Sequence, residues 1–299
     1  MHILITGAGG FLARELIREL EGTHTLRLLD RVRPEDATVF VPGSHDRISA
    51  PFATDWPFIV GEITDPATVA QAVTGVDAII HLAAAVSGFA QYGVATFTAN
   101  ALGTFVMLDE ARKAGVGRFL CASSINAFGT FAWRINATPI AYATLPLHED
   151  VPAVPQDPYS LSKLVNEETC AAFHRAYGIT TAALRFAGLW TTAQYEEARA
   201  VGLSPTVNWS DDLFQWVHVL DIARGMRQAV EAPQLPGMGV YTLGAADTRC
   251  PEPTLTLLER FRPHLVATRS APLQGRAPLL AIDHAQAAFG YAPQYRLGA

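Results

Sequence analysis

From residue 2 to residue 186, short apolar runs alternate with helix-length amphipathic segments, and no other feature constrains the fold as strongly. HILIT (2–6), TLRLLD (25–30), FIVGEI (58–63), DAIIHLAA (77–84), RFLCASS (118–124) and TTAALRF (180–186) have strand length and few polar positions. A strand that is apolar at successive positions has to bury both faces. Between the strands, FLARELIREL (11–20) places Leu12, Leu16, Ile17 and Leu20 on one helical face. TDPATVAQAV starts a helix with Pro66 in its first turn, and 94–114 and 158–177 read as longer helices. Doubly buried strands separated by helices predict an α/β protein with a doubly wound parallel sheet. Residues 31–57 carry mixed Pro, Gly and polar content and predict an irregular stretch with one short strand at TVFV. Beyond 187 proline becomes frequent and the elements shorten. The predicted division is a domain over 1–186, to which 217–232 returns, and a small, mainly substrate-binding C-terminal lobe over 187–299.

Composition narrows the partners. The 299 residues are 49% hydrophobic and 17% charged, ample for a buried core. A net charge of −6 argues against nucleic acid or an anionic membrane as main partner and excludes little else. No apolar run reaches the length of a membrane span, and the chain opens directly on a strand pattern, so a cytoplasmic protein is expected. Cys121, Cys170 and Cys250 are widely spaced with no CxxC pair, and none of the nine histidines stands at HxxxH spacing. Neither a disulfide framework nor a metal site is expected. GxSxG, the mark of a serine hydrolase, is absent.

Thr6-Gly7-Ala8-Gly9-Gly10-Phe11-Leu12-Ala13 joins the first strand to the first helix. Glycines there allow a tight turn and bring backbone N–H groups close to a pyrophosphate, while the helix N-terminus adds partial positive charge. Gly7, Gly9, Gly10, Phe11 and Leu12 are therefore candidate cofactor contacts in a Rossmann arrangement. Asp30 closes the second strand twenty residues after Gly10, where a carboxylate can bind the adenosine ribose hydroxyls. The same carboxylate repels the extra phosphate of NADP, so NAD is the expected cofactor. Arg31 and Arg33 lie just beyond, and NADP stays open.

Tyr159 and Lys163 stand four apart on a predicted helix and so share a face. A tyrosine with a pKa of about 10 is a poor base at neutral pH. A neighbouring ammonium favours the phenolate, as does a positive nicotinamide ring. Lys163 can also hold the nicotinamide ribose.

With these residues in place, the chain resembles the extended branch of the short-chain dehydrogenase/reductase superfamily, the NAD-dependent epimerase/dehydratase family. TGAGGFLA is similar to TGxxGFxG with Ala13 for the last glycine, and GEITD (61–65) to GDxxD, implying adenine contacts from Glu62 and Ile63. His81-Leu82-Ala83-Ala84 resembles the segment that passes beneath the cofactor, which implies contacts from Leu82, Ala83 and Ala84. NALGT (100–104) resembles NxxGT and adds Asn100 to the cofactor residues. Ser123 to Gly129 resembles SSxxVYG, with Ser124 at the catalytic serine. LRF (184–186) and WVHVLDIARG (216–225) resemble two later segments, and Phe186 would pack near the nicotinamide. The resemblance covers roughly residues 2–225. It implies that Tyr159 is the general acid/base, that Ser124 hydrogen-bonds the substrate oxygen, and that Lys163 lowers the tyrosine pKa and binds ribose. It also implies a homodimer through the helices at 94–114 and 158–177, although an apolar stripe there is equally consistent with core.

Departures from the pattern narrow the reaction. Dehydratases of the family place Asp-Glu directly after the active-site hydroxyl residue, where this chain has Ile125 and Asn126. Nucleotide-sugar epimerases commonly read LRYFN, where this chain has Gly188, and Trp190-Thr191-Thr192 replace the usual YGP. Arg199 is the single basic residue within 187–217, although Arg249, Arg269 and Arg276 lie further on. The expected reaction is therefore NAD-dependent oxidoreduction at a secondary alcohol of a sugar, sugar acid or similar hydroxy compound. An epimerase that retains its NAD uses the same three residues and stays open, as does a non-catalytic dinucleotide sensor. Substrate contacts are assigned to Ser124, Asn126, Arg134, Trp190 and Arg276. The stretch containing Phe131, Trp133, Arg134, Asn136 and His148 either roofs the pocket or packs the loop down.

Overall fold

The computed structural model describes residues 1–40, 47–129 and 142–298. Its centre is a seven-stranded parallel sheet of β1 (His2–Thr6), β2 (Thr25–Asp30), β5 (Phe58–Val60), β6 (Ala78–His81), β7 (Arg118–Ser124), β8 (Thr180–Phe186) and β11 (Met238–Leu243). Their order is β5-β2-β1-β6-β7-β8-β11. The winding direction reverses between β1 and β6, where an open α/β sheet leaves a crevice at the carboxyl ends of its strands. A short antiparallel pair, β3 (Thr38–Phe40) and β4 (Arg47–Ser49), lies within the predicted irregular stretch and includes TVF.

Period-2 alternation sorts β1 between two cores. Ile3 and Ile5 pack on one face with α1 (Phe11–Leu20), while Leu4 packs on the other with α2 (Pro66–Val73) and α4 (Gly103–Lys113). Helix starts follow local chemistry. Asp65 caps α2 by accepting from the Ala67 and Thr68 amides, with Pro66 at the first position. Asp157 caps α5 (Pro158–Tyr177) through the Ser160 amide at 2.9 Å, and Gly178 ends it at φ +73°.

Two predicted strands are shorter than their apolar runs. FIVGEI is a strand only to Val60; the following Gly61 packs so close to Thr68 that a Cβ would lie 2.5 Å from its methyl. DAIIHLAA ends at His81, where the following backbone leaves the sheet to hydrogen-bond side chains: Ala83 N–H to Thr6 and Ala85 N–H to Asn100. The predicted helix at 94–114 is α3 (Gly93–Phe97) joined to α4 by a π-helical turn at Thr98–Leu102. Asn100 sits in that turn, held to the Ala85 backbone at 2.7 and 3.0 Å and to the Ser162 hydroxyl at 2.9 Å.

After β8, β9 (Gly188–Trp190) pairs in parallel with β10 (Trp216–His218), and α6 (Thr192–Val201) opens with a Thr191/Gln194 capping box. α7 (Val219–Glu231) packs on α1, and β11 completes the sheet beside β8. The edge strand thus comes from the range expected to be mainly lobe. α8 (Thr254–Phe261) and α9 (Asp283–Phe289) follow. Two aspartates fasten the end of the chain: Asp221 accepts from the Gln294 and Tyr295 amides, and Asp247 from those of Leu297 and Gly298. No helix of the described residues is long and apolar enough to cross a membrane.

Candidate active site

The glycine turn lies at the carboxyl end of β1. Gly7 adopts φ +71°, and a Cβ there would stand 2.8 Å from the Ala83 nitrogen, so only glycine fits between the turn and the segment after β6. No side chain caps the N-terminus of α1, whereas Asp65, Asp157 and Thr191 cap α2, α5 and α6. The first amides of α1 are therefore left for an outside acceptor, which a pyrophosphate supplies. Asp30 accepts from Gly9 N–H at 2.9 Å and from Val32 N–H at 3.3 Å, each oxygen retaining a lone pair for a ribose hydroxyl. These features fit a dinucleotide.

Around the turn, Phe11 and Leu12 pack into the core beneath it. Arg31 and Glu62 are exposed, and Leu82, Ala83 and Ala84 are half-buried. Ile63 is packed down on Gly103, where a Cβ would lie 2.4 Å from its methyl. Sequence reasoning missed Arg14. Its guanidinium donates to Gly9 O at 3.0 and 3.2 Å and to Ala50 O, and lies 4.6 Å over the Phe52 ring. No motif marks an arginine at that helical position.

The catalytic candidates converge beyond β7. Ser124 ends β7 opposite Phe186 at the end of β8, and its hydroxyl meets that of Tyr159 from α5. Burial pushes the Tyr159 phenol above its ordinary range; the Ser124 hydrogen bond opposes this, and Asp157 and Cys121 add to it. Lys163 lies one turn on, 3% exposed, its Nζ donating to Ala122 O at 2.8 Å and standing 5.4 Å from the Tyr159 ring centre. Burial lowers the Lys163 pKa, while Cys121 and Glu167 raise it.

Behind this face runs a buried polar chain. Ala83 N–H donates to Thr6 Oγ1, which lies 2.8 Å from His81 Nδ1, and His81 Nε2 lies 3.2 Å from Thr104 Oγ1. With the Asn166 amide oriented so that its oxygen accepts from Thr104, its nitrogen donates to Ser162 O and Asn100 O. Thr104 then spends its proton on Asn166, so His81 carries its proton on Nε2 and accepts from Thr6 on Nδ1. Burial, followed by the charge of Lys163, pushes the His81 pKa down to about 3.

The substrate candidates are more scattered. Asn126 is buried on the turn after Ser124, its amide N–H donating to the Ser124 hydroxyl at 3.2 Å and its Oδ1 without a hydrogen-bond partner among the described residues. Trp190 is half-buried on β9, its ring 5.1 Å from that of Trp216. Arg276 is engaged within the lobe, donating to Asp247 at 3.1 Å and to Thr248 O at 2.6 Å. Arg249 is likewise paired with Asp212 at 2.8 Å. Phe131, Trp133, Arg134 and Asn136 lie outside the described residues. Among the described residues, no group of histidines, cysteines and carboxylates could hold a metal.

The sequence model of the NAD dependent epimerase/dehydratase family matches residues 3–244. A dTDP-glucose 4,6-dehydratase of Streptomyces antibioticus is 27% identical over 98% of this chain and 88% of its own. An NAD-dependent glucose-6-phosphate dehydrogenase of Haloferax volcanii is 30% identical over 68% of this chain and 75% of its own. In structure, a short-chain dehydrogenase/reductase superfamily protein from Agrobacterium tumefaciens with bound NAD superposes with a TM-score of 0.69. That match covers 99% of this chain and 94% of the other at 21% identity, and the likeness is one of fold.

Proposed function

Because the chain belongs to the NAD-dependent epimerase/dehydratase family, we propose that it is an NAD-dependent oxidoreductase acting on a secondary alcohol of a sugar, sugar acid or sugar phosphate. The observation that carries this reading is the meeting of Ser124, Tyr159 and Lys163 beside an uncapped α1 and its glycine turn. NAD, when bound, supplies the hydride acceptor. Gly7, Gly9 and Gly10 admit its pyrophosphate, Asp30 holds the adenosine ribose, and Lys163 the nicotinamide ribose. Tyr159 takes the proton of the substrate hydroxyl, and Ser124 hydrogen-bonds the same oxygen as charge develops on it. The lobe from 187 onward supplies the substrate wall.

Two observations separate this reading from those of nucleotide-sugar relatives. No carboxylate follows Ser124, where Ile125 and Asn126 are buried and uncharged, so the acid and base that eliminate water are missing. Of the three arginines beyond 217 that could meet a diphosphate, Arg249 and Arg276 are already paired with Asp212 and Asp247, and Arg269 donates to Val266 O, which weighs against a diphosphate substrate among the described residues. The test incubates the protein and NAD⁺ with free sugars, sugar acids, sugar phosphates and nucleotide sugars, following NADH absorbance and product identity. NADH growth with a non-nucleotide substrate is the expected result. Interconverted sugars without NADH would mean an epimerase that retains its cofactor, and NAD binding without turnover a sensor.

The homodimer reading is supported by Leu102 and Phe105 near the start of α4 and by Leu161 and Tyr177 on α5, large apolar side chains left exposed. Sedimentation is expected to give twice the 32.2 kDa chain mass, and Phe105→Glu to give the single chain.

A further inference from the structure

Tyr159, Lys163 and Glu167 follow one another at four-residue spacing along α5, and the third of them has no part in the chemistry above. Glu167 is a buried carboxylate held from two strands. Arg185 on β8 donates to it twice, Nε at 2.8 Å and Nη2 at 2.7 Å, with both side chains 4% exposed. Ser123 on β7 donates to it at 2.5 Å. Each of these residues immediately precedes a site residue: Ser123 before Ser124, and Arg185 before Phe186. The Arg185 guanidinium also lies 4.3 Å over the ring of Phe128, on the turn after Ser124.

Lys163 is within electrostatic reach of Glu167 on its own helix, of Cys121 on β7 and of His81 on β6. It is bonded instead to the carbonyl of Ala122, one residue from Ser123. An unpaired buried carboxylate one helical turn from a buried ammonium would be the strongest competitor for it. We propose that Arg185 is a positioning residue: by neutralising Glu167 with a two-point ion pair, it keeps Lys163 from folding back on its own helix and leaves it free for the cofactor ribose and Tyr159. Ser123 then fixes the Glu167 carboxylate at the end of β7, so that the pair ties both strand ends to the catalytic helix.

The inference rests on the oxidoreductase reading, and its test reads cofactor affinity without any substrate. NADH binding is followed by fluorescence in the wild type, Arg185→Met, Glu167→Gln/Arg185→Met, Lys163→Met and Lys163→Met/Arg185→Met, with thermal melts to establish folding. Arg185→Met is expected to weaken binding about tenfold by mass action on Lys163. The Glu167→Gln/Arg185→Met protein, with no charge left over from the pair, is expected to return within about threefold of the wild type. Lys163→Met/Arg185→Met is expected to bind no more weakly than Lys163→Met, since both act through one ammonium. A doubly substituted pair as weak as Arg185→Met, or losses that add with Lys163→Met, would overturn the proposal. Should Arg185→Met not fold, Arg185→Lys keeps the charge on Glu167 and is expected to retain affinity; a tenfold loss there would assign Arg185 to packing alone. A wild type that does not bind NADH overturns the oxidoreductase reading, and this inference with it.

Discussion

Tyr159→Phe is expected to lower kcat/KM by about 10³-fold, within the usual range for a general acid/base, while NADH affinity changes less than threefold. The separation follows from where the hydroxyl sits. The ring of Tyr159 is packed at the start of α5, and phenylalanine reproduces that packing, whereas the hydroxyl that meets Ser124 is lost. Cofactor binding rests on other groups, namely the glycine turn, Asp30 and Lys163. Burial also sets the direction of the pH dependence. A phenol held above its ordinary range loses its proton only as pH rises, so alcohol oxidation should accelerate from neutral pH upward, as long as Lys163 stays charged. Steady-state kinetics on the substrate found by the panel, with NADH titrations alongside, check both parts. Activity retained by Tyr159→Phe would place the proton transfer elsewhere.

The second large effect is on stability in acid. His81 is neutral in the native protein down to about pH 3, whereas in the unfolded chain it takes a proton at about 6.5. Between these values the unfolded state binds more protons than the native state, so stability rises with pH across the window and is lost as pH falls. From pH 6.5 to 4.5 the loss assigned to this residue is roughly 2–3 kcal/mol at 1.36 kcal/mol per pH unit. Other groups titrate in the same range, so the comparison that isolates His81 is with His81→Gln. Glutamine keeps a donor for Thr104 and an acceptor for Thr6, and it carries no proton equilibrium. His81→Gln is expected to cost about 1 kcal/mol at pH 7 and to be as stable as the wild type or more so by pH 4.5. Urea unfolding of both proteins at pH 7, 5.5 and 4.5 measures the difference, and parallel pH slopes would show that His81 does not titrate as its surroundings require.

Tertiary burial decided the site's polar scaffold, and sequence spacing could not. Glu167 and Arg185 are 18 positions apart and belong to different elements; Arg185 stands within LRF, yet nothing in the spacing says that the two pair. The thread from Thr6 through His81 and Thr104 to Asn166 draws on four elements, and although Thr6, His81 and Thr104 stand in quoted motifs, their joining is visible only in the fold. Long-range packing also placed Arg276. Its charge nominated it as a substrate contact, and the fold brings it to Asp247, a carboxylate that also holds the last residues of the chain.

What the sequence determined by itself was short-range. β1, β2, β7, β8, α1 and α5 begin and end where the hydrophobic periodicity put them, because burial of one or both faces is written at every residue and the ends of α5 are set by Asp157, Pro158 and Gly178. The meeting of Tyr159 and Lys163 on one face was equally legible, since helical geometry alone brings positions four apart together. The tertiary structure decided where β5 and β6 stop and why the long helix carries a π turn at Asn100. After β5, Gly61 packs on Thr68 of α2; after β6, the Ala83 and Ala85 amides turn to the Thr6 and Asn100 side chains, and the Asn100 side chain in turn bonds Ala85 O and Ser162, contacts that exist only once the chain has folded.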